Sequence, residues 1–206
     1  MAYNYIFPTC IWYDNQIELA EQLLPVARQY LNDSGKTFTD NNNHVSTYRE
    51  ASVSQQLKRD PKVKPLLDLL IYQSKEYIKK QNVNLDPIKD KLENLDNLYI
   101  FFNRIGKTAS HIMHAHPNSI LSGCFYLNCN EKDSPLIISD PRPYMNYVFY
   151  EQKLYDDTNI NTLCPDFIIP VKTGLIMLWP SWLQHMVPEQ KVDSDRITIV
   201  FNIGHW

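Results

Sequence analysis

The second half of the chain is a series of short apolar or alternating runs, and this pattern restricts the folds open to it. Pro, Asn, Asp and Gly separate the runs, as turn residues separate the strands of an antiparallel sheet. Such a series predicts a β-sandwich or a jelly-roll barrel. The runs cover residues 98–103, 119–128, 136–139, 167–171, 175–179 and 197–203.

The first half has a different, helical pattern. Apolar residues recur at helical spacing over 17–31, and Asn15 with Glu18 has the spacing of a capping box at the start of that helix. Asp60-Pro61 predicts the start of a second helix, because proline is tolerated in a first turn. Asp86-Pro87 predicts the start of a short third helix.

Helices followed by strands indicate an α+β, mainly β fold with the helices on one outer face of the barrel. A length of 206 residues and an apolar fraction of 44% suit one globular domain. We therefore predict a single domain over 1–206, in which 1–97 is mostly helical support and 98–206 is the β core with the site. The stretch 140–164, rich in Tyr, Asn and Asp, predicts a lid or a substrate loop.

Charge and composition argue against several classes of protein. The net charge is −3 with no long run of one sign, which does not suit a dedicated nucleic-acid or anionic-membrane binder. No apolar run approaches the ~20 residues of a membrane span, and the N-terminus does not resemble a secretion signal. The cysteines form no C-x-x-C pair, so we expect reduced thiols and a cytoplasmic location. They are Cys10, Cys124, Cys129 and Cys164.

Three of the six histidines stand together at 111–116, in His-Ile-Met-His-Ala-His. Alternation in a strand would place His114 and His116 on one face and His111 on the other. His185, which follows an apolar run far along the chain, is the candidate third ligand. Three imidazoles on one side of a metal leave positions open, as in non-haem iron oxygenases. Zinc would also accept these donors and would activate water.

Taken alone, a His-x-His pair in a strand is more often structural or surface-exposed than metal-binding. The metal hypothesis therefore depends on the features that accompany the pair. Of the remaining histidines, we expect His44 to be solvated in an Asn-rich loop, and no partner is evident for His205.

Arg196 strengthens the hypothesis of a ligand pocket. In a strand, Arg196 and Thr198 share one face, while Ile197 and Ile199 share the other. An arginine inside a barrel is costly unless an anion meets it, and its planar fork suits a carboxylate. A bound dicarboxylic acid would supply that group. The alternative is a structural ion pair with Asp140, Asp193 or Asp195.

Several stretches together resemble the 2-oxoglutarate and iron(II)-dependent oxygenase superfamily. More narrowly, they resemble a group of oxygenases found in marine bacteria and their phages. The resemblance covers roughly residues 98–203, and the order and spacing of the stretches agree. They are Phe-Asn-Arg-Ile-Gly (102–106), His-Ala-His-Pro-Asn-Ser (114–119), Leu-Ser-Gly-Cys-Phe-Tyr-Leu-Asn (121–128), Asp-Pro-Arg (140–142), Trp-Pro-Ser-Trp-Leu-Gln-His (179–185) and Arg-Ile-Thr (196–198).

The resemblance implies a double-stranded β-helix, a jelly-roll or cupin-like fold, with Fe(II), 2-oxoglutarate and O2 as cofactors. It implies that His114 and His185 bind iron. It also implies a set of residues around 2-oxoglutarate. These are Arg196 on the far carboxylate, Thr198 beside it, Tyr126 as a further contact and Asn103 in the pocket wall.

The sequence departs from the superfamily at one position of the metal site. Where the superfamily has an acidic residue two positions after the first histidine, this chain has His116. His116 itself binds, or Asp140 supplies a carboxylate, or His116 stands behind the site while water completes the metal. We favour the first arrangement, because alternation places His116 beside His114. Three-histidine sites also occur in oxygenases without 2-oxoglutarate, so the departure weakens the cosubstrate hypothesis more than the metal hypothesis.

The expected function is a dioxygenase that hydroxylates an unidentified substrate and releases succinate and CO2. The alternatives are a three-histidine dioxygenase or hydrolase without 2-oxoglutarate, and a non-catalytic cupin-like binding module. The substrate could be a small molecule or a protein side chain. Asp140, Arg142 and Trp182 are candidate substrate contacts, although Asp140-Pro141-Arg142 could equally be a turn with its own ion pair. A homodimer is compatible with the sequence.

Overall fold

A computed structural model describes residues 9–37, 43–81, 83–141 and 166–205. The helices in these ranges are α1 (Ile17–Ser34), α2 (Ala51–Leu57), α3 (Lys64–Lys80) and α4 (Lys89–Glu93), with short 3-10 helices at Asp86–Ile88 and Leu95–Asn97. The strands are β1 (Trp12–Asn15), β2 (Lys36–Thr37), β3 (His44–Ser46), β4 (Leu98–Ile105), β5 (His111–His114), β6 (Leu121–Asn128), β7 (Leu136–Ser139), β8 (Asp166–Ile169), β9 (Leu175–Pro180), β10 (His185–Val187) and β11 (Arg196–Ile203).

The strands form two antiparallel sheets of unequal size. The larger sheet has seven strands in the order β1-β9-β6-β11-β4-β3-β2, and the smaller has the order β5-β10-β7-β8. The central strand β11 pairs with β4 along its whole length and with β6 over most of it. Because β11 is covered on both faces, its residues are almost all buried.

Each face of the larger sheet packs against a different layer. On one face, side chains such as Phe102, Phe125 and Phe201 join the apolar residues of α1, α2 and α3 in one core. On the other face, Tyr126 and Met177 share a second core with residues of the smaller sheet. The helices therefore lie on one outer face, and the α+β, mainly β class expected from the sequence is confirmed.

The predicted helices exist, but the predictions for how two of them begin are wrong. The helix predicted over 17–31 is α1, but its N-cap is Gln16 without a side-chain capping bond. The predicted capping box is wrong, because Asn15 ends β1 and pairs there with Leu175. The second helix starts at Lys64 rather than at Asp60, since the preceding residues form turns. Helix α2 was not predicted.

The six predicted strands all exist, with ends shifted by a few residues. Strands β1, β2 and β3 of the N-terminal half also join the larger sheet, at its two edges, so that half contributes more than helical support. Of the predicted lid at 140–164, only 140 and 141 lie in the described part, and the prediction otherwise falls outside it.

Two further findings concern cysteines and membranes. Cys10, Cys124 and Cys129 are free thiols, while Cys164 lies outside the described residues. None of the helices in the described ranges combines the length and the hydropathy that crossing a bilayer requires.

Candidate active site

A pocket lies between the two sheets. The larger sheet contributes one wall through β4, β6, β9 and β11, and the smaller sheet contributes the other through β5, β7 and β10. Much of the lining is apolar, including Phe101, Leu136 and Val200, but histidines line one part and a buried arginine lines another. The pocket therefore combines apolar walls with polar side chains gathered at particular positions, as small-molecule sites generally do.

Three histidines converge in this pocket. One ring nitrogen of each of His114, His116 and His185 lies within 4.8 Å of those of the other two. His114 and His185 are partners across the β5–β10 pair, with ring centroids 4.4 Å apart. His116 completes the group, with its ring centroid 4.9 Å from that of His114 and 5.2 Å from that of His185. The group has the composition and spacing to hold a metal ion.

Backbone hydrogen bonds set the proton positions on two of these rings. Nδ1 of His114 lies 2.7 Å from the carbonyl oxygen of Ile112, and Nδ1 of His185 lies 2.9 Å from that of Leu183. A carbonyl oxygen only accepts, so each Nδ1 carries the proton and donates it. Nε2 of each ring is then left with a free lone pair, the form in which imidazole binds a metal.

The three histidines are held in their neutral form. Burial, followed by the nearby His114, lowers the pKa of His185 to about 3 and that of His116 to about 4. Burial also lowers the pKa of His114. Because charging these rings is unfavourable here, all three have an unprotonated nitrogen at neutral pH.

Arg196 lies in the same pocket, and no ion pair joins it to another described residue. It is 2% exposed, and its Nε has no hydrogen-bond partner among the residues that the structure describes. Its guanidinium carbon lies 5.2 Å from the ring centroid of Tyr126. No carboxylate of the described residues pairs with it, and Asp195 instead pairs with Arg28 at 3.0 Å. A buried guanidinium of this kind favours an anionic ligand.

A row of polar side chains crosses the sheet beside Arg196. Thr198 of β11 lies directly opposite Asn103 of β4 on one side and opposite Tyr126 of β6 on the other. All three are buried and line the pocket. Thr198 is two residues from Arg196 on the same strand face, so four of the side chains predicted for the site are together in the pocket.

A family model described as "Putative 2OG-Fe(II) oxygenase" matches residues 100–202, half of the 206-residue chain. The chain belongs to this family. The protein is therefore an oxygenase, and its cofactors are Fe(II), 2-oxoglutarate and O2. The superfamily expected from the sequence is confirmed, and membership argues against a non-catalytic binding module. No curated protein matches the sequence.

Solved structures with similar folds include three oxygenase-related enzymes. A prolyl-4-hydroxylase from Pseudomonas putida has a TM-score of 0.59 at 11% identity, covering 95% of this chain and 92% of its own. HygX from Streptomyces hygroscopicus, solved with nickel and 2-oxoglutarate, has a TM-score of 0.54 at 12% identity, with 96% and 83% covered. The epimerase SnoN from nogalamycin biosynthesis has a TM-score of 0.55 at 10% identity, with 94% and 77% covered. At such identities the similarity concerns the fold.

In this oxygenase His116 reaches the site by a route that strand alternation did not predict. Strand β5 ends at His114, and His116 stands in the following turn. The N–H of His116 donates to the carbonyl oxygen of Ser181 at 2.8 Å, and its own carbonyl oxygen accepts from the N–H of Ser119 at 3.2 Å. The two histidines do lie together, but a turn rather than a shared strand face is the reason.

The prediction that His111 points away from the site is wrong. His114 pairs with His185 and His111 pairs with Val187, so β5 has one residue more than β10 between the two pairs. This extra residue is a β-bulge, and a bulge reverses the alternation beyond it. His111 consequently lines the pocket, with its ring stacked on that of His114 at 4.2 Å between centroids.

Two further residues of the site were not predicted. His44 was expected to be solvated, yet it starts β3 and is 1% exposed, and burial lowers its pKa to about 4. Trp179 lines the pocket with its ring centroid 5.0 Å from that of His185, and no described residue forms a hydrogen bond with its buried Nε1. The run that ends in Trp179 was predicted as a strand, and its alternation would have placed the indole on the pocket face.

The predicted substrate contacts differ in position. Trp182 is 52% exposed in the turn between β9 and β10. Asp140 follows β7 and is half-buried, and the metal-binding group of the described residues contains His116 rather than Asp140. Arg142 lies outside the described residues.

Proposed function

We propose that this oxygenase hydroxylates a carbon–hydrogen bond of its substrate while 2-oxoglutarate is oxidised to succinate and CO2. His114, His116 and His185 would hold Fe(II), and Arg196 would hold the far carboxylate of 2-oxoglutarate. The observation that carries this proposal is one pocket containing both a group of three neutral imidazoles and a buried guanidinium that forms no ion pair with any residue the structure describes. The first is a metal site and the second a carboxylate site.

The histidines fit Fe(II) by their chemistry. Three nitrogen donors from one side leave further positions for a cosubstrate and O2. When bound, the iron would supply the activation of O2 that lets one oxygen atom enter the substrate and the other enter succinate. The carbonyl groups of Ile112 and Leu183 fix the orientation of two ligand rings, which keeps those rings preorganised for the ion.

The residues beside Arg196 fit the far end of 2-oxoglutarate. The guanidinium fork can donate two hydrogen bonds to one carboxylate, and the hydroxyl groups of Thr198 and Tyr126 can each add another. Asn103 closes the row on the other side of Thr198. Apolar neighbours such as Phe101 and Val200 exclude water and so strengthen these interactions.

The proposal also includes the detailed fold of the protein, the narrower group to which it belongs and its location in the cell. Two facing antiparallel sheets with a shared core support a double-stranded β-helix, formed as one domain over 1–206. The quoted motifs support membership of the group found in marine bacteria and phages. The free thiols among the described cysteines suit a cytoplasmic location, in the host cytoplasm for a phage protein.

The alternative is a three-histidine dioxygenase or hydrolase that uses no 2-oxoglutarate. The observation in its favour is that the candidate ligand group contains no carboxylate. In that enzyme Arg196 would be unimportant for catalysis, so its substitution separates the two hypotheses.

Anaerobic titration of the purified protein with Fe(II) and then 2-oxoglutarate tests the proposal. We expect one Fe(II) per chain, a visible charge-transfer band on adding 2-oxoglutarate, and succinate once air is admitted with a substrate. Arg196→Ala should keep the iron and lose the band, whereas Ser74→Ala, a buried serine of α3 remote from the pocket, should behave as the wild type. Iron uptake without a band in the wild type would favour the alternative.

A further inference from the structure

The three candidate metal ligands are not held in the same way. Backbone carbonyl groups accept hydrogen bonds from Nδ1 of His114 and of His185, and these bonds orient both rings. Among the described residues, none forms a hydrogen bond with the ring of His116. The position of this third ring therefore depends on the backbone that carries it, which is the turn between β5 and β6.

Ser181, in the turn between β9 and β10, binds the turn of His116 at three points. Its carbonyl oxygen accepts from the N–H of His116 at 2.8 Å, and its N–H donates to the carbonyl oxygen of Ile120 at 3.2 Å. Its hydroxyl group donates to the carbonyl oxygen of Ser119. Ser181 and Ser119 are 3% and 5% exposed, so little water can compete for these bonds. One buried serine thus joins the two turns that precede β6 and β10.

Of these three hydrogen bonds, only the one from the hydroxyl group depends on the side chain of Ser181. The group that accepts it belongs to Ser119, whose N–H donates to the carbonyl oxygen of His116 at 3.2 Å and closes the turn. Without the hydroxyl group, the buried carbonyl of Ser119 would lose this donor, which is costly enough to shift the turn. A shift of the turn moves His116 but leaves the Nδ1 bonds of the other two ligands in place.

We propose that Ser181 is a positioning residue for the third metal ligand. Its hydroxyl group, through the carbonyl group of Ser119, fixes the turn that carries His116. The ring of His116 is thereby held beside the rings of His114 and His185. This inference rests on the proposed function, because it assumes that His116 binds the metal. It accounts for how a ligand in a turn is kept as well placed as two ligands that lie in paired strands.

The test is a double-mutant cycle on the full chain, with Ni(II) as the probe. Ni(II) generally binds nitrogen donors more tightly than Fe(II) does, so weakened sites stay measurable. Ser181→Ala is made both in the wild type and in His116→Ala. The matched control is Ser74→Ala, because Ser74 is buried in α3 and its hydroxyl group also donates to a backbone carbonyl, at 2.6 Å. Calorimetry gives each Ni(II) dissociation constant, and circular dichroism verifies folding.

We expect Ser181→Ala to bind Ni(II) about tenfold more weakly than the wild type, the lower end of the losses seen when a partner that supports a ligand is removed. In the His116→Ala background the same substitution should have no effect, because the ligand through which Ser181 acts is gone. Ser74→Ala should match the wild type. Ser181→Cys, with a weaker donor of similar shape, should lie between, and it takes the place of Ser181→Ala if that variant does not fold.

Two outcomes would overturn this inference and leave the proposed function standing. One is a wild-type Ni(II) affinity in the folded Ser181 variant. The other is an equal loss of affinity in both backgrounds, because Ser181 would then act on the rest of the site and not through His116. Wild-type affinity in His116→Ala, or a wild type that takes up no stoichiometric metal, would instead overturn the ligand set of the proposed function, and this inference with it.

Discussion

His114 and His185 face each other across the β5–β10 pair, and each donates its Nδ1 proton to the carbonyl oxygen of the residue two positions before it. Backbone carbonyl groups, rather than other side chains, thus orient the two rings. A backbone carbonyl group cannot rotate independently of its strand or turn. In both rings Nε2 is the nitrogen left to bind the metal, and the orientation of both rings is fixed by hydrogen bonds at Nδ1.

Replacing His185 with alanine should abolish stoichiometric iron binding. Because the substitution removes a ligand rather than a supporting group, we expect the affinity to fall by more than about 100-fold, the upper end of losses from supporting partners. Metal content after anaerobic loading measures this, with far-UV circular dichroism to verify folding. Stoichiometric, wild-type-like iron in the folded variant would rule His185 out as a ligand.

His116→Ala and Asp140→Asn together decide between His116 and Asp140 as the third metal ligand. The described metal-binding group includes His116 and not Asp140, so we expect His116→Ala to weaken iron binding strongly and Asp140→Asn to leave it unchanged. His116→Asp, which introduces the acidic residue typical of the superfamily, should retain iron. If Asp140→Asn weakens iron binding strongly and His116→Ala leaves it unchanged, the carboxylate of Asp140 is the third metal ligand.

In the Arg196→Met variant, 2-oxoglutarate should no longer raise the melting temperature. Arg196 is buried and pairs with no carboxylate in the described ranges, and such a guanidinium costs folding free energy, so the variant should melt no lower than the wild type when no ligand is added. A ligand at 100 times its Kd stabilises the folded state by about 2.7 kcal/mol, which should raise the melting temperature of the wild type only. A similar shift in Arg196→Met on adding 2-oxoglutarate would place the cosubstrate elsewhere.

Thr198→Val and Tyr126→Phe should each weaken 2-oxoglutarate binding modestly. Each removes one hydroxyl group beside Arg196 and nearly preserves the shape of the side chain, so the loss should be about 1 kcal/mol, roughly a fivefold rise in Kd. Calorimetric titration of the iron-loaded variants measures it, and iron affinity should not change. If both variants bind 2-oxoglutarate with the wild-type Kd, the row of polar side chains across β4, β11 and β6 is not part of the binding site.

Much of the layout followed from local patterns in the chain. Short apolar runs with turn residues between them predicted six strands of the β core, and helical spacing predicted α1. Alternation along the run at 197–203 placed Arg196 and Thr198 on the face opposite Ile197, and the structure has them so. These features depend on residues near one another in sequence, where the period of a strand or helix is sufficient to assign a face.

Only the tertiary structure decided which histidines share the pocket. Alternation would turn His111 outward, but pairing with β10, far along the chain, introduces the bulge that turns it inward. His44 is buried because β3 pairs with β4, and His116 is held by a contact with Ser181 in a distant turn. Strand register is set by pairing between distant segments, and a shift of one residue exchanges the faces of a strand. Local sequence patterns do not determine that register. They could therefore identify residues of the site but could not show how the residues come together.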